Sequence, residues 1–278
     1  FRTENMGGHI SHLAGAFFGF VYIKTLQNGA DMSTVITKIF QSNGYGSSPS
    51  MFLLDNLGRV YCWGYNGYGN LGNGTTNNIL VPYLVPFTAT TPIKDIYATA
   101  RYAASFLITT TGIMYTAGET NTSLYTGANQ LFRPVMPWGF DKTVKQVFGC
   151  EAYGIDGNGD AYASRRYGAV LDNGEMWCWG DAGGSYNDGF GISYTTAAYQ
   201  TNPIYPIKVL DGVAFGQANA GWNTMMALMN DGTVKWEGYN GQGIGGALAS
   251  RQTWVTIGDT FLTNVTKLRM YGYGSYST

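Results

Sequence analysis

The sequence predicts an all-β chain assembled from repeated four-stranded antiparallel units, and three observations carry that prediction. A turn-and-strand motif recurs. LLDNLGRVYCWGYNGYGNLGNG at Leu53–Gly74 returns in part as AVLDNGEMWCWGDAGG at Ala169–Gly184, as ALMNDGTVKWEGYNGQGIGG at Ala227–Gly246 and, faded, as FLITTTGIMYTAGETN at Phe106–Asn121. Its landmarks are regular. The turn glycines Gly58, Gly112, Gly174 and Gly232 lie 54, 62 and 58 residues apart, and the strand-ending glycines Gly64, Gly118, Gly180 and Gly238 repeat those intervals. Repetition at this period marks an array whose units bury their faces against neighbours. Composition agrees: Gly makes up 40 of 278 residues, aromatics 15% and charged residues only 12%, against ordinary shares of roughly 7% Gly and about 25% charged residues. That balance suits short strands and tight turns, and no helical periodicity exceeds two turns.

Each unit opens with a short alternating strand: VITKIF (Val35–Phe40), PIKDIY (Pro92–Tyr97), TVKQVF (Thr143–Phe148), the weaker LDGVAF (Leu210–Phe215) and NVTKLRM (Asn264–Met270). Five such strands bracket four hairpins. A loop of small residues follows, then an apolar second strand (MFLL, SFLI, GAVL, MALM) and a tight turn at DNLG, TTTG, DNG or NDG. Asn-Gly and Asp-Gly pairs supply the positive φ of two-residue hairpin loops, which is the turn expected here. The third strand carries an aromatic pair or its remnant: VYCWG, IMYTAG, EMWCWG, TVKWEG. A glycine-rich loop leads to a fourth, more polar strand that includes Pro (ILVPYLV, LFRPVM, NPIYPIKV), as an edge strand tolerates. Because both glycine landmarks drift together, insertions are expected between units. Residues 33–278 hold the repeats, and residues 1–32 form a degenerate blade or connecting segment, with FFGFVYIKTLQNG (Phe17–Gly29) as its apolar strand and turn. Radial closure would protect the strand edges. The expectation is a β-propeller of about five blades, or an incomplete ring.

The string GRVYCWGYNGYGNLGNGTTNN at Gly58–Asn78 resembles the repeat of the RCC1-like β-propeller family, which pairs a DG-x-V-x-x-WG hairpin with an N-x-x-G-Q-L-G-x-G loop. The unit at Asp231–Gly246 matches with Trp236 one place early, the unit at Asp172–Gly191 matches in its hairpin alone, and Thr109–Gly127 keeps little beyond its glycines. The resemblance spans roughly residues 33–272 and implies the fold. Family members typically close seven blades, whereas this sequence offers about four clear ones, and the same blades serve unrelated tasks. The best-known members act on a small GTPase, through a wedge-like insertion that has no visible counterpart here.

Catalytic chemistry is sparse. The two histidines, His9 and His12, stand near the N-terminus without an acidic or cysteine cluster, and no Ser-His-Asp or Cys-His relay can be assembled. Asp55, Asp172 and Asp231 sit at hairpin turns, where local backbone bonding favours Asp. Cys62 and Cys178 share a repeat position and read as packing residues. A net charge of −1 with scattered Lys and Arg gives no basic stripe for nucleic acid, and no apolar run approaches a membrane span. No cofactor is expected. The one metal candidate is DGNGDAY, where Asp156, Asn158 and Asp160 could aim oxygen ligands at Ca²⁺. Against it, Ala161 and Tyr167 stand where a calcium loop wants Gly and Glu.

Function is expected in the parts that break the repeat. The inserts at Ala182–Thr201 and Thr122–Phe132 interleave aromatics with Asn, Ser and Gly, which makes Tyr125, Trp138, Tyr186, Asn187, Phe190 and Tyr194 candidate binding residues for a protein or a surface glycan. Low charge and abundant Gly, Tyr, Asn and Thr lead to a non-enzymatic recognition or structural module exposed outside the cell, such as a phage tail or fibre domain. The competing readings are a cytoplasmic scaffold or guanine-nucleotide exchange factor for a small GTPase, and a secreted glycan-cleaving enzyme or enzyme inhibitor.

Overall fold

Short apolar runs punctuated by glycine turns fold the chain into sixteen strands, with no helix among the described residues. The computed structural model describes residues 35–42, 49–87, 91–99, 104–118, 129–135, 142–155, 161–181, 206–219, 224–238, 251–257 and 264–269. The strands form four four-stranded antiparallel sheets, each made of consecutive strands. Sheet one comprises β1 (Ile36–Gln41), β2 (Ser50–Asp55), β3 (Val60–Gly64) and β4 (Ile79–Leu84); sheet two comprises β5 (Ile93–Ala98), β6 (Ala104–Thr109), β7 (Met114–Gly118) and β8 (Asn129–Val135). Sheet three comprises β9 (Val144–Ile155), β10 (Ala161–Leu171), β11 (Met176–Asp181) and β12 (Ile207–Leu210); sheet four comprises β13 (Val213–Asn219), β14 (Thr224–Met229), β15 (Val234–Gly238) and β16 (Arg251–Thr256). The chain divides into two compact units, one holding sheets one and two and the other sheets three and four.

Central strands such as β2 and β3 are buried on both faces, which is why they read as nearly continuous apolar runs. Phe52, Leu53 and Leu54 of β2 are buried together with Val60, Tyr61, Cys62 and Trp63 of β3. In the second unit Phe148, Val170, Met176, Cys178, Met225 and Ala227 form the corresponding core. Removing about 25 cal/mol per Å² of apolar surface from water makes this packing the main source of stability. Cys62 and Cys178 are both buried free thiols in that core, as their repeat position predicted. Pro82 and Pro134 fall on the fourth strands β4 and β8, where no further ladder bond is needed.

The hairpin turn is one residue longer than predicted. Gly58 N donates to Asp55 O (3.1 Å) and Asp55 N to Arg59 O (3.0 Å), which closes a three-residue loop of Asn56, Leu57 and Gly58. The same pattern links Leu171, Gly174 and Glu175, and Met229, Gly232 and Thr233. The glycine therefore occupies the left-handed third position of a type I turn plus bulge, with φ of 75° at Gly58, 82° at Gly174 and 80° at Gly232.

A second difference concerns the longest interval. The extra residues do not lie between units: β9 and β10 run for 12 and 11 residues where the corresponding strands of the first two sheets have 6. They stay paired from Val144↔Leu171 to Ile155↔Ala161. The insertion is an elongated first hairpin within sheet three, which accommodates extra chain without disturbing the turn glycines.

Each turn glycine also bonds to the segment that opens the next repeat. The carbonyl of Gly58 accepts from Ile93 N (3.1 Å), and that of Gly174 accepts from Val213 N (2.9 Å). Gly112, in the Thr111–Met114 turn that belongs to the second compact unit, accepts from Val144 N (2.8 Å). Gly232 accepts from Val265 N (3.0 Å) in the same way. NVTKLRM was expected to be a strand; Asn264–Arg269 makes the joint of a first strand but belongs to none of the four sheets.

Candidate functional site

Two places combine defined geometry with accessible chemistry, one in each compact unit. In the first, the hairpin and glycine loop of sheet one are fixed by two buried polar side chains. The Asp55 carboxylate accepts from Leu57 N (2.9 Å), Arg59 N (2.8 Å), Arg59 Nε (2.6 Å) and Tyr61 Oη (3.2 Å). Turn sequence places Asp55 there, and burial on the sheet makes the four donors necessary. The bond to Asp55 raises the Arg59 guanidinium, while burial and the neighbouring carboxylate raise the Tyr61 phenol.

Asn66 organises the loop beyond β3. Its amide nitrogen reaches Asn73 Oδ1 (3.0 Å), Thr75 O (2.8 Å) and Asn77 O (3.0 Å), and its Oδ1 accepts from Leu71 N (2.9 Å). Asn78 Oδ1 accepts from Asn66 N at 2.9 Å. The loop lies against β8: Gly72 has φ +65°, and a Cβ there would stand 2.3 Å from the Phe132 ring. The glycine-rich string Gly64–Gly74 is thus a packed inter-sheet loop whose shape is set by the Asn66 side chain. Cys62 Sγ lies 3.4 Å from Leu71 O beneath it, and burial pushes its thiol up, away from reactive thiolate.

In the second unit, a cavity of about 650 Å³ opens between β13–β14 and Thr266–Arg269. Phe215 (37% exposed), Leu228 and Leu268 supply apolar lining, and the exposed Lys267 and Arg269 also line it. The lining thus combines apolar side chains with two cationic ones.

A second surface cluster lies on sheet three. Glu175 accepts from Lys142 Nζ (2.8 Å) and Trp177 Nε1 (2.9 Å), Lys208 Nζ stands 3.8 Å away, and the Lys142 ammonium sits 5.2 Å from the Trp177 ring centroid. Hydrogen bonds from Lys142 and Trp177 hold the Glu175 carboxyl down at about 2. These contacts tie the Lys142, Glu175 and Trp177 side chains together across sheet three, while Lys208 also bonds Asp211 Oδ1 at 3.1 Å, which gives the cluster the character of a structural clasp.

The binding residues singled out from sequence, Tyr125, Trp138, Tyr186, Asn187, Phe190 and Tyr194, lie outside the described residues, as do Asp156, Asn158 and Asp160. His9, His12 and the Phe17–Gly29 segment do as well. Among the described residues no three His, Cys, Asp or Glu side chains converge on a metal position. Sequence reasoning passed over the groove, although VTKL at Val265–Leu268 repeats ITKI at Ile36–Ile39 and could have pointed to it.

Comparison with known proteins places the repeat. Residues 58–104 match the model of the Regulator of chromosome condensation (RCC1) repeat. Protein RCC2 of Mus musculus is 37% identical over 76 residues, which is 26% of this chain and 14% of that protein. Protein RCC2 of Homo sapiens is 35% identical over 71 residues, again 26% and 14%. Human WBSCR16 superposes with a TM-score of 0.61 at 15% identity, covering 82% of this chain and 54% of that one. Yeast RCC1 (Prp20) bound to Kap60 gives 0.60 at 15% identity, covering 83% and 50%. Prp20p from Saccharomyces cerevisiae, described with its binding to Gsp1p and histones, gives 0.55 at 13%, covering 85% and 56%. The chain spans about half the length of these solved relatives and matches about one seventh of the curated ones. At these identities the structural likeness shows the fold, an RCC1-like propeller scaffold. The similar proteins are intracellular, nuclear or cytoplasmic, which overturns the expectation of an extracellular or virion-surface location. Scarce charge and abundant Gly, Tyr and Asn reflect how sheets and turns of this kind are built, and say nothing of where the protein resides. The comparisons likewise lend no support to a tail-fibre, adhesin or glycan-binding role.

Proposed function

We propose that this chain is a non-catalytic intracellular scaffold that binds proteins through RCC1-like repeats, with a small GTPase as the partner class it regulates. The observation that carries the reading is the coincidence of the RCC1 repeat match at 58–104 with the most completely built part of the first unit, the Asp55-fixed hairpin and Asn66-fixed loop. Support for protein partners comes from the solved relatives, of which one is described bound to Kap60 and another with Gsp1p and histones. Sheets joined by tight turns suit this task, because they hold their loops with little entropy to lose on binding.

The test is a panel of purified small GTPases loaded with a fluorescent nucleotide and mixed with the chain. Accelerated release of the nucleotide from one member by about tenfold or more, together with tight binding of its nucleotide-free form, is the expected result. Unchanged release and no binding across the panel would reject the GTPase assignment.

A further inference from the structure

In an Asn–Gly pair a side-chain amide sits beside the least hindered backbone nitrogen, since glycine has no Cβ to shield it. The pair occurs at seven places in this chain, and three of them, Asn66–Gly67, Asn73–Gly74 and Asn173–Gly174, fall among the described residues. They share one chemistry and differ in what holds them. Asn66 is fully buried: its amide nitrogen reaches Asn73 Oδ1, Thr75 O and Asn77 O, and its Oδ1 accepts from Leu71 N. Asn73 Oδ1 accepts from Asn66 Nδ2 (3.0 Å), Thr75 N (3.1 Å) and Thr75 Oγ1 (3.2 Å), while Gly74 N donates to Gln130 O of β8 (2.7 Å). Both pairs are tied to chain outside their own turn.

Asn173 is held differently. It is exposed at the tip of the β10–β11 hairpin, where its Oδ1 accepts from Glu175 N (3.0 Å) and Gly174 N donates to Leu171 O (2.9 Å). Both bonds lie within the loop that joins the two strands, so opening that loop alone frees the Asn173 amide and the Gly174 nitrogen. The bonds that tie the loop to its surroundings use other atoms. Asp172 N donates to Thr143 O (2.9 Å), Thr143 Oγ1 donates to the Asp172 carboxylate, and Val213 N donates to Gly174 O (2.9 Å). Opening one exposed turn takes far less free energy than opening a buried loop packed between sheets.

We propose that Asn173–Gly174 is a site of spontaneous covalent modification, the first of the three pairs to convert to aspartate and isoaspartate, and that isoaspartate there loosens the joint between sheets three and four. Gly174 N loses its proton to hydroxide and attacks Asn173 Cγ. A C–N bond forms, closing a succinimide, and the side-chain nitrogen takes a proton from water and leaves as ammonia. Water then opens the ring at either carbonyl, giving aspartate, or isoaspartate with the main chain rerouted through the former side chain. One water is consumed and one ammonia released, with no change of oxidation state. Isoaspartate adds a methylene to the backbone immediately before Gly174, whose carbonyl holds Val213 N at the start of sheet four. Either product also adds one negative charge to a net charge of −1 and sets it between Asp172 and Glu175.

The test holds the full 278-residue chain at mildly alkaline pH and body temperature and follows each site by peptide mapping with tandem mass spectrometry, counting isoaspartate by enzymatic methylation. Asn173 should convert at least about tenfold faster than Asn66 and Asn73 in the folded chain, because only its own turn must open. In urea, with the structure gone, the three rates should fall within about threefold of one another. Equal rates in the folded chain, or an equal lead for Asn173 in urea, overturns the proposal. Hydrogen exchange then reads the joint. The Val213 amide should exchange roughly tenfold faster in the isoaspartyl fraction than in fresh chain, and unchanged exchange there overturns the effect on the joint. Asn173→Ser keeps an oxygen that can accept from Glu175 N but cannot cyclise, so it should age with Val213 exchange unaltered. An aged serine variant whose Val213 exchange rises as much as the parent's would trace the loosening to another residue and overturn the same half.

Discussion

Arg166 of β10 and Glu237 of β15 form an ion pair with both side chains fully enclosed, Nη1 lying 3.4 Å from Oε1. Counting from the turn glycines, Arg166 takes the place of Ser50, Ala104 and Thr224, while Glu237 takes the place of Trp63, Ala117 and Trp179. Two charges thus replace small or apolar residues at one joint of the array. Desolvating them is expensive, so the pair specifies which sheets fit together more than it adds net stability. Removing either member takes the opposite charge away from a buried ion: Glu237→Ala and Arg166→Ala should each cost about 3–5 kcal/mol. The double variant Arg166→Met/Glu237→Leu should lose clearly less than the two single losses added. Denaturant titrations followed by tryptophan fluorescence measure this, and strict additivity would remove the pairing argument.

The turn glycines separate two costs that usually come together. A Cβ at Gly58 would lie 2.3 Å from Pro92 Cβ and 2.8 Å from Ile93 N, on top of a φ of +75°. At Gly174 the φ is +82°, yet the nearest neighbour, Asn230 Nδ2, is 3.5 Å away. Gly174→Ala should therefore cost only the left-handed backbone penalty, about 1–2 kcal/mol. Gly58→Ala must in addition push Pro92 and Ile93 away, and should cost at least ~1 kcal/mol more. Equal losses would show that the joint between sheets one and two yields freely.

Glu175 gives the molecule an acid-sensitive contact. Its folded carboxyl sits at about 2, below its ordinary value, because Lys142 and Trp177 donate to the ionised form. Stabilisation by such a group is fully present above the ordinary carboxylate range and is lost as pH falls toward the folded value. Glu175→Gln should lower the denaturation midpoint near neutral pH, and the difference from the parent chain should shrink as pH falls through the carboxylate range, about 4 to 2. A gap that persists undiminished at the acid end would assign the loss to packing.

Much of this fold is legible in the sequence because glycine does two jobs at one residue. Gly58, Gly112 and Gly232 adopt positive φ and also let the following segment approach, while Gly174 is held by its positive φ alone, so none of the four drifts and together they mark the repeat. Loop length was harder to read, since DNLG and NDG do not reveal which residue starts the turn until Asp55 N is seen bonded to Arg59 O. The elongation of β9 and β10 lacked a signal because GCEAYGI and AYASRRYG show no strict alternation. Arg166 and Glu237 are 71 residues apart and meet only through sheet packing. The groove was hidden for the same reason: Phe215 and Leu268 come from separate repeats.

Asn66 offers the sharpest test of how the glycine loop is held. Its two amide hydrogens serve three acceptors, Asn73 Oδ1, Thr75 O and Asn77 O, while its carbonyl oxygen receives Leu71 N, and the side chain is fully buried. Asn66→Ala would orphan the buried Leu71 N–H and remove the donor shared by Asn73 Oδ1, Thr75 O and Asn77 O, at about 1–3 kcal/mol by the usual cost of an orphaned buried polar atom. Asn66→Asp is nearly isosteric, yet turns the donor edge into a second acceptor facing three oxygens. It should be at least as damaging as alanine at neutral pH and recover part of its stability in acid, once the carboxyl is protonated and can donate again. Thermal melts of both variants at neutral and acidic pH decide it: an aspartate variant tolerated at neutral pH would mean that the loop is held by its glycines and not by Asn66.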